Sequence, residues 1–465
     1  MQESIKAVIK ENQELYKQWL IDFCSIPSVA AQNRGMDDSL KYLQHLFDTY
    51  IQEEIEFIPT GGYPVAYSHI NSTSPYTISF YNHYDVQPED PIELWRTPPF
   101  EPTEIDGKIY ARGIADNKGN LIARVAAIHA MKQVKPELPL NVKFIFEGEE
   151  EIGSINLEAF ADKHLDKIQS DGNVWEFGYR DADDRLQVSL GVKGMLYVEL
   201  TSEVANSDVH SANATIIESP AWRLVWALST LKDQNDQILI PGFYDDVIEP
   251  TEEEMKALSQ YLYDENANKE FLGITKFVNN LTGIELKRKH LFEPTCNICG
   301  IESGYTGEGS KTVLPHKAFA KLDFRLVPGQ DPNQILKLLR VHLDQQGFKD
   351  IQMKEMSTEF AARTHPNELL AKAVIETITE NTDLPPNIVP NTPGTGPMYG
   401  LCQRHGIPSV SFGVGNFSSN NHAPNENIRL IDFYEHIELV TDLVERFASK
   451  LETEGVDTKH ATNSK

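Results

Sequence analysis

Between residues 54 and 178, short runs of strand-forming residues alternate with amphipathic helical patterns. Strand-like runs lie near 54–58, 64–70 and 76–82, at 141–146 and at 173–178. Helical patterns cover 3–23, 38–50, the stretch through Leu121, Val125, Ile128 and Met131, and about 156–168. Parallel strands need long crossovers, and helices supply them. The alternation therefore predicts an α/β fold: a mostly parallel sheet with helices on both faces. Near 190 the texture changes at Leu190-Gly191-Val192-Lys193-Gly194. Strands at 195–200, 318–325 and 350–357, with helices at 220–233 and 332–346, read as a compact α+β layer inserted into the first domain. The acidic segment from Asp245 to Glu270 reads as a solvated helical excursion. The α/β texture resumes from about 360, with helices at 367–381 and 430–451 and a strand at 408–413. The expected division is residues 1–190 and 359–465 for the site-bearing domain and 191–358 for the insert. The last dozen residues are polar and are expected to be disordered.

In sheets of this kind ligands bind beyond the carboxyl ends of the strands. His83, Glu150, Glu151 and Glu176 all fall at or near such ends. The run Tyr76–Tyr81 leads into Asn82-His83-Tyr84-Asp85-Val86-Gln87-Pro88. Side chains two apart on a strand share a face, so Asp85 can hold the His83 ring, fix its tautomer and raise its basicity. His-x-Asp alone is weak. It gains weight from Asp116, Glu150, Glu151, Glu176 and His422, the last in Asn421-His422-Ala423-Pro424-Asn425-Glu426. Two histidines and several carboxylates can hold a pair of divalent ions bridged by one carboxylate. Mixed nitrogen and oxygen ligands suit zinc first, then manganese or cobalt. A leftover carboxylate can take a proton from water.

The bulk numbers limit the partners. The net charge of -27 argues against nucleic acid, which wants a basic face, and against docking on anionic lipid, and it is compatible with cations. No apolar run approaches a membrane span, and Met1–Lys6 lacks the features of a signal peptide. Four cysteines form no disulfide framework, so a reducing cytoplasm is expected. Cys296-Asn297-Ile298-Cys299 is a lone pair without a second, and reads as packing.

Taken together, these motifs resemble the metallopeptidase family of carnosinase, cytosolic dipeptidases, aminoacylase, acetylornithine deacetylase and succinyl-diaminopimelate desuccinylase. The resemblance runs from Ile26-Pro27-Ser28 to the last helix, with five motifs in the family's order. It implies His83 and Glu176 on one ion, Glu151 and His422 on the other, and Asp116 bridging both. Asp85 would clamp the His83 ring. Glu150 would be the general base for a water that bridges the ions and attacks the amide carbon. Ser207-Asp208-Val209-His210-Ser211 resembles the motif whose histidine helps bind the oxyanion, in many members from a partner subunit. Arg325, in Asp323-Phe324-Arg325, and the Gly394-Thr395-Gly396 loop resemble the groups that receive a substrate carboxylate. The insert would serve as lid and dimerisation domain of a homodimer. Asp85-Val86-Gln87-Pro88 leans to the dipeptidase branch, which implies dipeptide substrates. N-acyl amino acids, cleaved by a deacylase or desuccinylase, are the alternative, and a catalytically silent metal-binding protein a third.

Several positions depart from the family pattern. Asn82 and Ala111 stand where glycine or another small residue is common, and Asn117 where methionine or aspartate is often found. Ala212-Asn213 follows His210-Ser211 in place of glycine, and Pro393 precedes Gly394. Plain alternatives also exist. Glu147–Glu151 can be a solvated helix start, with the roles of Glu149, Glu150 and Glu151 open to exchange. Asp171 rivals Glu176, His210 can be a hydrogen-bonded loop histidine, and Arg325 can make a structural ion pair.

Overall fold

The protein is described by a computed structural model covering residues 2–462, with side chains described to residue 454. The chain forms two compact units, one of Met1–Leu190, Thr364–Pro390 and Gly400–Lys465, the other of Gly191–Arg363 and Asn391–Tyr399.

The first unit is built on an eight-stranded sheet. Its strands are β1 (Glu56–Ile58), β2 (Val65–Ile70), β3 (Thr77–His83), β4 (Asn141–Glu147), β5 (Gly172–Trp175), β6 (Gln187–Ser189), β7 (Asn387–Val389) and β8 (Ser409–Ser411). Their spatial order is β1-β2-β4-β3-β5-β8-β6-β7. The central four, β4-β3-β5-β8, are parallel, while β1 and β2 pair antiparallel at one edge. Nearly every residue of β3 and β4 is buried, as expected of strands covered on both faces. The helices are α1 (Gln2–Glu11), α2 (Gln13–Cys24), α3 (Met36–Leu46), α4 (Gly119–Val134), α5 (Leu369–Asn381) and α6 (Leu430–Thr462). Helix α4 is buried all round from Gly119 to Met131 and packs against α1, α2 and α6. An all-buried helix between two strands is the crossover that keeps β3 and β4 parallel.

The second unit has a four-stranded antiparallel sheet in the order Asn297–Ser303, Lys317–Leu326, Gly194–Glu203, Gln352–Glu359. Helices Pro220–Ser229 and Pro332–Gln345 pack on it around Leu196, Val198, Phe324 and Leu339.

Some elements differ from the sequence expectation. The single helix over 3–23 is two helices, because Asn12 leaves helical geometry and its side chain bonds the Val8 carbonyl at 2.8 Å. The pattern at 156–168 is likewise split into Leu157–Lys163 and Leu165–Ile168. The acidic excursion is helical at Glu252–Gln260 and Glu265–Leu272, yet Glu254 is buried in an ion pair with Arg363 at 2.7 Å. Residues 359–363 and 391–399 belong with the second unit, not with the resumed α/β domain: Thr392 N–H bonds the Gly191 carbonyl and Lys193 N–H the Gly394 carbonyl, both at 2.8 Å. All four cysteines are free, and Cys299 is exposed on an edge strand where packing was expected. The tail expected to be disordered falls on the end of α6 and on residues 463–465, which lie outside the described residues. Among the described residues no helix is long and apolar enough to cross a membrane.

Candidate metal centre

Strands β4, β3, β5 and β8 deliver their carboxyl ends side by side, and each is followed by candidate ligands. His83 is the last residue of β3 and is fully buried. Its Nδ1 donates to the Asp85 carbonyl at 3.0 Å and lies 3.3 Å from Asp85 Oδ1. Nε2 is thereby presented to the site, 3.1 Å from Asp116 Oδ1 and 3.5 Å from Glu176 Oε2. Asp116 stands in the turn that opens α4, and the Asp116–Asn117 peptide is cis. Its other oxygen, Oδ2, lies 3.1 Å from His422 Nε2 and accepts from Asn421 Nδ2 at 3.3 Å. His422 is in the loop beyond β8 at φ 60°, the left-handed region, and also approaches Glu151 Oε2 at 3.3 Å. One carboxylate thus faces two histidines through its two oxygens.

The glutamate run after β4 separates by contact. Glu147 is buried, accepting from Ser154 Oγ at 2.8 Å and from Tyr81 Oη. Glu149 turns to Asn156 Nδ2 at 2.7 Å and to the Tyr63 N–H. Glu150 and Glu151 face the histidines: Glu150 Oε2 is 3.9 Å from His83 Nε2, and Glu151 meets His422. The run is therefore a strand end and a short turn in which Glu147 and Glu149 are buried, not a solvated helix start. Asp171 is occupied in accepting the Thr77 N–H at 2.8 Å, at the start of β3, and is no rival to Glu176.

Protonation follows from the crowding. Burial opposes the charge on Asp116, but hydrogen bonds from His422 and His83 outweigh it and hold the carboxyl well below its usual range. Burial alone would lower His83, while Asp116 and Asp85 hold it well above its ordinary value. His422 is raised to about 10 by Asp116 and Glu151. Glu176 is pushed up to about 8 by burial, and Glu150 is raised strongly by burial and by Glu176 beside it. The raised values of His83, His422, Glu176 and Glu150 are what a site short of positive charge produces. Candidate ligand atoms of His83, Asp116 and Glu151 lie within 4.8 Å of one another. Among the described residues, buried Glu176 Oε2 has no hydrogen-bond partner. An imidazole and carboxylate set with an orphaned buried oxygen fits divalent cations.

Sequence reasoning missed three residues. Gln87, read only as a branch marker, donates to Glu151 Oε2 at 2.8 Å. Glu426 is fully buried and accepts from the N–H groups of Gly113, Ala115 and Asp116 at 2.8, 2.9 and 3.0 Å, and from Arg112 at 2.8 Å. It ties the Asp116 turn to the His422 loop, and its place four residues after His422 was the available signal. Arg124 has no such signal, because it reads as one polar residue in a helix.

The remaining expected residues belong to the second unit. His210 is exposed, and its Nδ1 accepts from the Ala212 N–H at 3.1 Å. Arg325 and Thr395 come together, Arg325 donating to Thr395 Oγ1 at 2.7 Å. Arg325 also pairs with Asp323 at 3.0 Å through Nε, so the structural ion pair exists. The Gly394 carbonyl accepts from Lys193 N–H at 2.8 Å.

The family model described as Peptidase family M20/M25/M40 matches residues 79–446, a span that holds every candidate ligand. Human beta-Ala-His dipeptidase is 29% identical over 459 residues, covering 94% of this chain and 86% of that protein. A Cys-Gly metallodipeptidase of Schizosaccharomyces pombe is 34% identical over 280 residues, covering 59% and 58%. The solved M20 family metallo-carboxypeptidase Sso-CP2 from Sulfolobus solfataricus superposes with a TM-score of 0.88 at 41% identity, covering 93% of this chain and 99% of that one. The chain belongs to peptidase family M20/M25/M40 and is a hydrolase of the peptidase type.

Proposed function

We propose that the protein is a two-metal dipeptidase. The observation that carries this reading is Asp116, with one oxygen toward His83, which also approaches Glu176, and the other toward His422, which also approaches Glu151. His83 and Glu176 would hold one divalent ion and Glu151 and His422 the other, with Asp116 shared. Zinc suits this ligand set first, and manganese or cobalt are alternatives. The ions would supply Lewis acidity, polarising the scissile carbonyl and acidifying water.

The chain's own residues do the rest. Glu150 takes the proton of the water that attacks the amide carbon. It then gives that proton to the leaving nitrogen as the C–N bond breaks. Asp85 holds the His83 ring in the tautomer that presents Nε2. His210, whose Nδ1 is occupied as an acceptor, has Nε2–H to offer to the developing oxyanion. Arg325 and Thr395, already in contact, with the backbone of Gly394, receive the substrate carboxylate.

The names of the relatives, beta-Ala-His dipeptidase and Cys-Gly metallodipeptidase, support dipeptides as substrates. The 41% identity to a metallo-carboxypeptidase favours a second reading, in which longer or N-blocked peptides are trimmed from the carboxyl end. N-acyl amino acid deacylation is the third. The reading includes a homodimer in a reducing cytoplasm. Stacked Trp222 and Trp226, exposed on helix Pro220–Ser229, support a partner surface, and the four free cysteines support a reducing compartment.

The test is hydrolysis by the metal-loaded protein of three matched pools: free-amine dipeptides, N-blocked dipeptides and N-acyl amino acids. Cleavage mainly of the first is expected. Preference for the second makes the enzyme a carboxypeptidase, and preference for the third a deacylase. No cleavage with metal bound overturns the catalytic reading.

A further inference from the structure

Behind the candidate ligands lies a cation that the chemistry above does not use. Arg124, one turn into α4, is fully buried. Its NH1 donates to the Tyr81 carbonyl at 2.9 Å, to Asn82 Oδ1 at 3.1 Å and to the Val174 carbonyl at 3.4 Å. Its NH2 donates to the carbonyls of Trp175 at 2.6 Å, Glu176 at 3.2 Å and Phe412 at 3.3 Å. These acceptors are the ends of β3, β5 and β8. No carboxylate forms an ion pair with Arg124 among the described residues. A guanidinium taken out of water is costly unless its donors are paired, and here five main-chain carbonyls and Asn82 Oδ1 take both terminal nitrogens, leaving Nε without a partner among the described residues.

The network continues into two of the positions that depart from the family pattern. Asn82, held through Oδ1 by Arg124, donates from Nδ2 to Asn117 Oδ1. Asn117 in turn donates from Nδ2 to the Glu176 carbonyl at 2.9 Å. Arg124, Asn82, Asn117 and the Glu176 carbonyl thus close a ring of buried polar contacts. It touches the residue before His83, the residue after Asp116, and Glu176 itself. The opposite half of the site, Glu151 and His422, is held by other groups, Gln87 among them.

We propose that Arg124 is a positioning residue for one half of the metal centre: through Asn82 and Asn117 it fixes His83 and Glu176, and so sets the affinity of the ion they hold more than that of its neighbour. The inference rests on the two-metal reading above. Removing a group that orients metal ligands costs about 10-fold to 100-fold in affinity. That loss falls mainly on one ion, because the ring bonds the Glu176 carbonyl and the residue before His83, while the shared Asp116 is reached only through its neighbour Asn117, and Glu151 and His422 are not reached.

The experiment is titration of the metal-stripped full-length protein with Zn2+ against a chromophoric chelator, for wild type, Arg124→Met, Arg124→Lys and Asn117→Ala. Two binding steps are expected for wild type; a single step or none defeats the two-metal reading itself, whatever Arg124 does. In Arg124→Met one step is expected to weaken by about 10-fold to 100-fold and the other by less than about 3-fold. Arg124→Lys, which keeps the charge and part of the donor set, recovers some of the loss. Asn117→Ala leaves Arg124 in place and breaks the ring, so it gives the same one-sided loss even if Arg124→Met does not fold. With substrate, kcat falls while KM stays near wild type. Equal weakening of both steps in Asn117→Ala, or no weakening of either, overturns the proposal.

Discussion

Loading the metal-free protein with two divalent ions should expel protons, and the number follows from the site. At pH 7 a Glu176 carboxyl raised to about 8 carries about 0.9 of a proton. His422, raised to about 10, carries nearly a whole one, and His83 lies well above its ordinary value and carries another. A ligand nitrogen must be neutral and a ligand carboxylate ionised, so all of these leave on binding. The ligands therefore release about three protons per two ions at pH 7. The sign for affinity follows: binding tightens as pH rises, with about three protons competing until Glu176 titrates near 8 and fewer above it. The assay is isothermal titration calorimetry of Zn2+ in buffers of different ionisation enthalpy. The slope of apparent enthalpy against buffer enthalpy counts the protons. A count below one would refute the reasoning, since it would mean that the two histidines are already neutral and that Asp116 and Glu151 do not hold protons on them.

Two further outcomes follow from the same contacts. Glu150→Gln keeps the size of the side chain and removes the proton acceptor, so kcat should fall by about 10²-fold to 10⁴-fold while two ions per chain remain by metal analysis; turnover near wild type would exclude Glu150 as the base. Glu426→Gln leaves Arg112 buried without its carboxylate and should cost about 3–5 kcal/mol in urea unfolding, partly recovered in the double variant with Arg112→Met; a loss under about 1 kcal/mol would show that the pair does not hold the Asp116 turn.

The parallel core and the ligands at its strand ends were legible because both are written locally. Runs of strand-forming residues broken by helical patterns predict β3, α4 and β4, and a chemistry-bearing residue at the end of such a run is read without knowing its neighbours. Glu150 and Glu151 were readable as a pair, but not apart from Glu149, since all three share one turn. Only contacts assign them: Glu149 is spent on Asn156 and Tyr63, while the other two face histidines. Asn12, splitting the first helix, competes for a carbonyl through its own side chain, a choice that apolar periodicity does not record. The segment 391–399 reads as a continuation of the α/β domain because chain order is all a sequence offers, and its hydrogen bonds to Gly191 and Lys193 lie about two hundred residues back.

Arg124 and Glu426 show a different kind of illegibility. Each is one charged residue in a chain with many, and only Glu426, four residues after His422, had a sequence signal at all. Their effect comes from convergence. Glu426 gathers the N–H groups of one turn, and Arg124 gathers the carbonyls of three strand ends. Backbone donors and acceptors left at the ends of elements must be satisfied when water is excluded. A site built where four parallel strands stop has many such ends. It therefore calls for one buried anion to collect the donors and one buried cation to collect the acceptors. On this argument the asparagines at 82 and 117 are the means by which this chain carries the cation's hold on β3 and β5 out to the ligands, and they belong to the support of the site as much as Asp85 does.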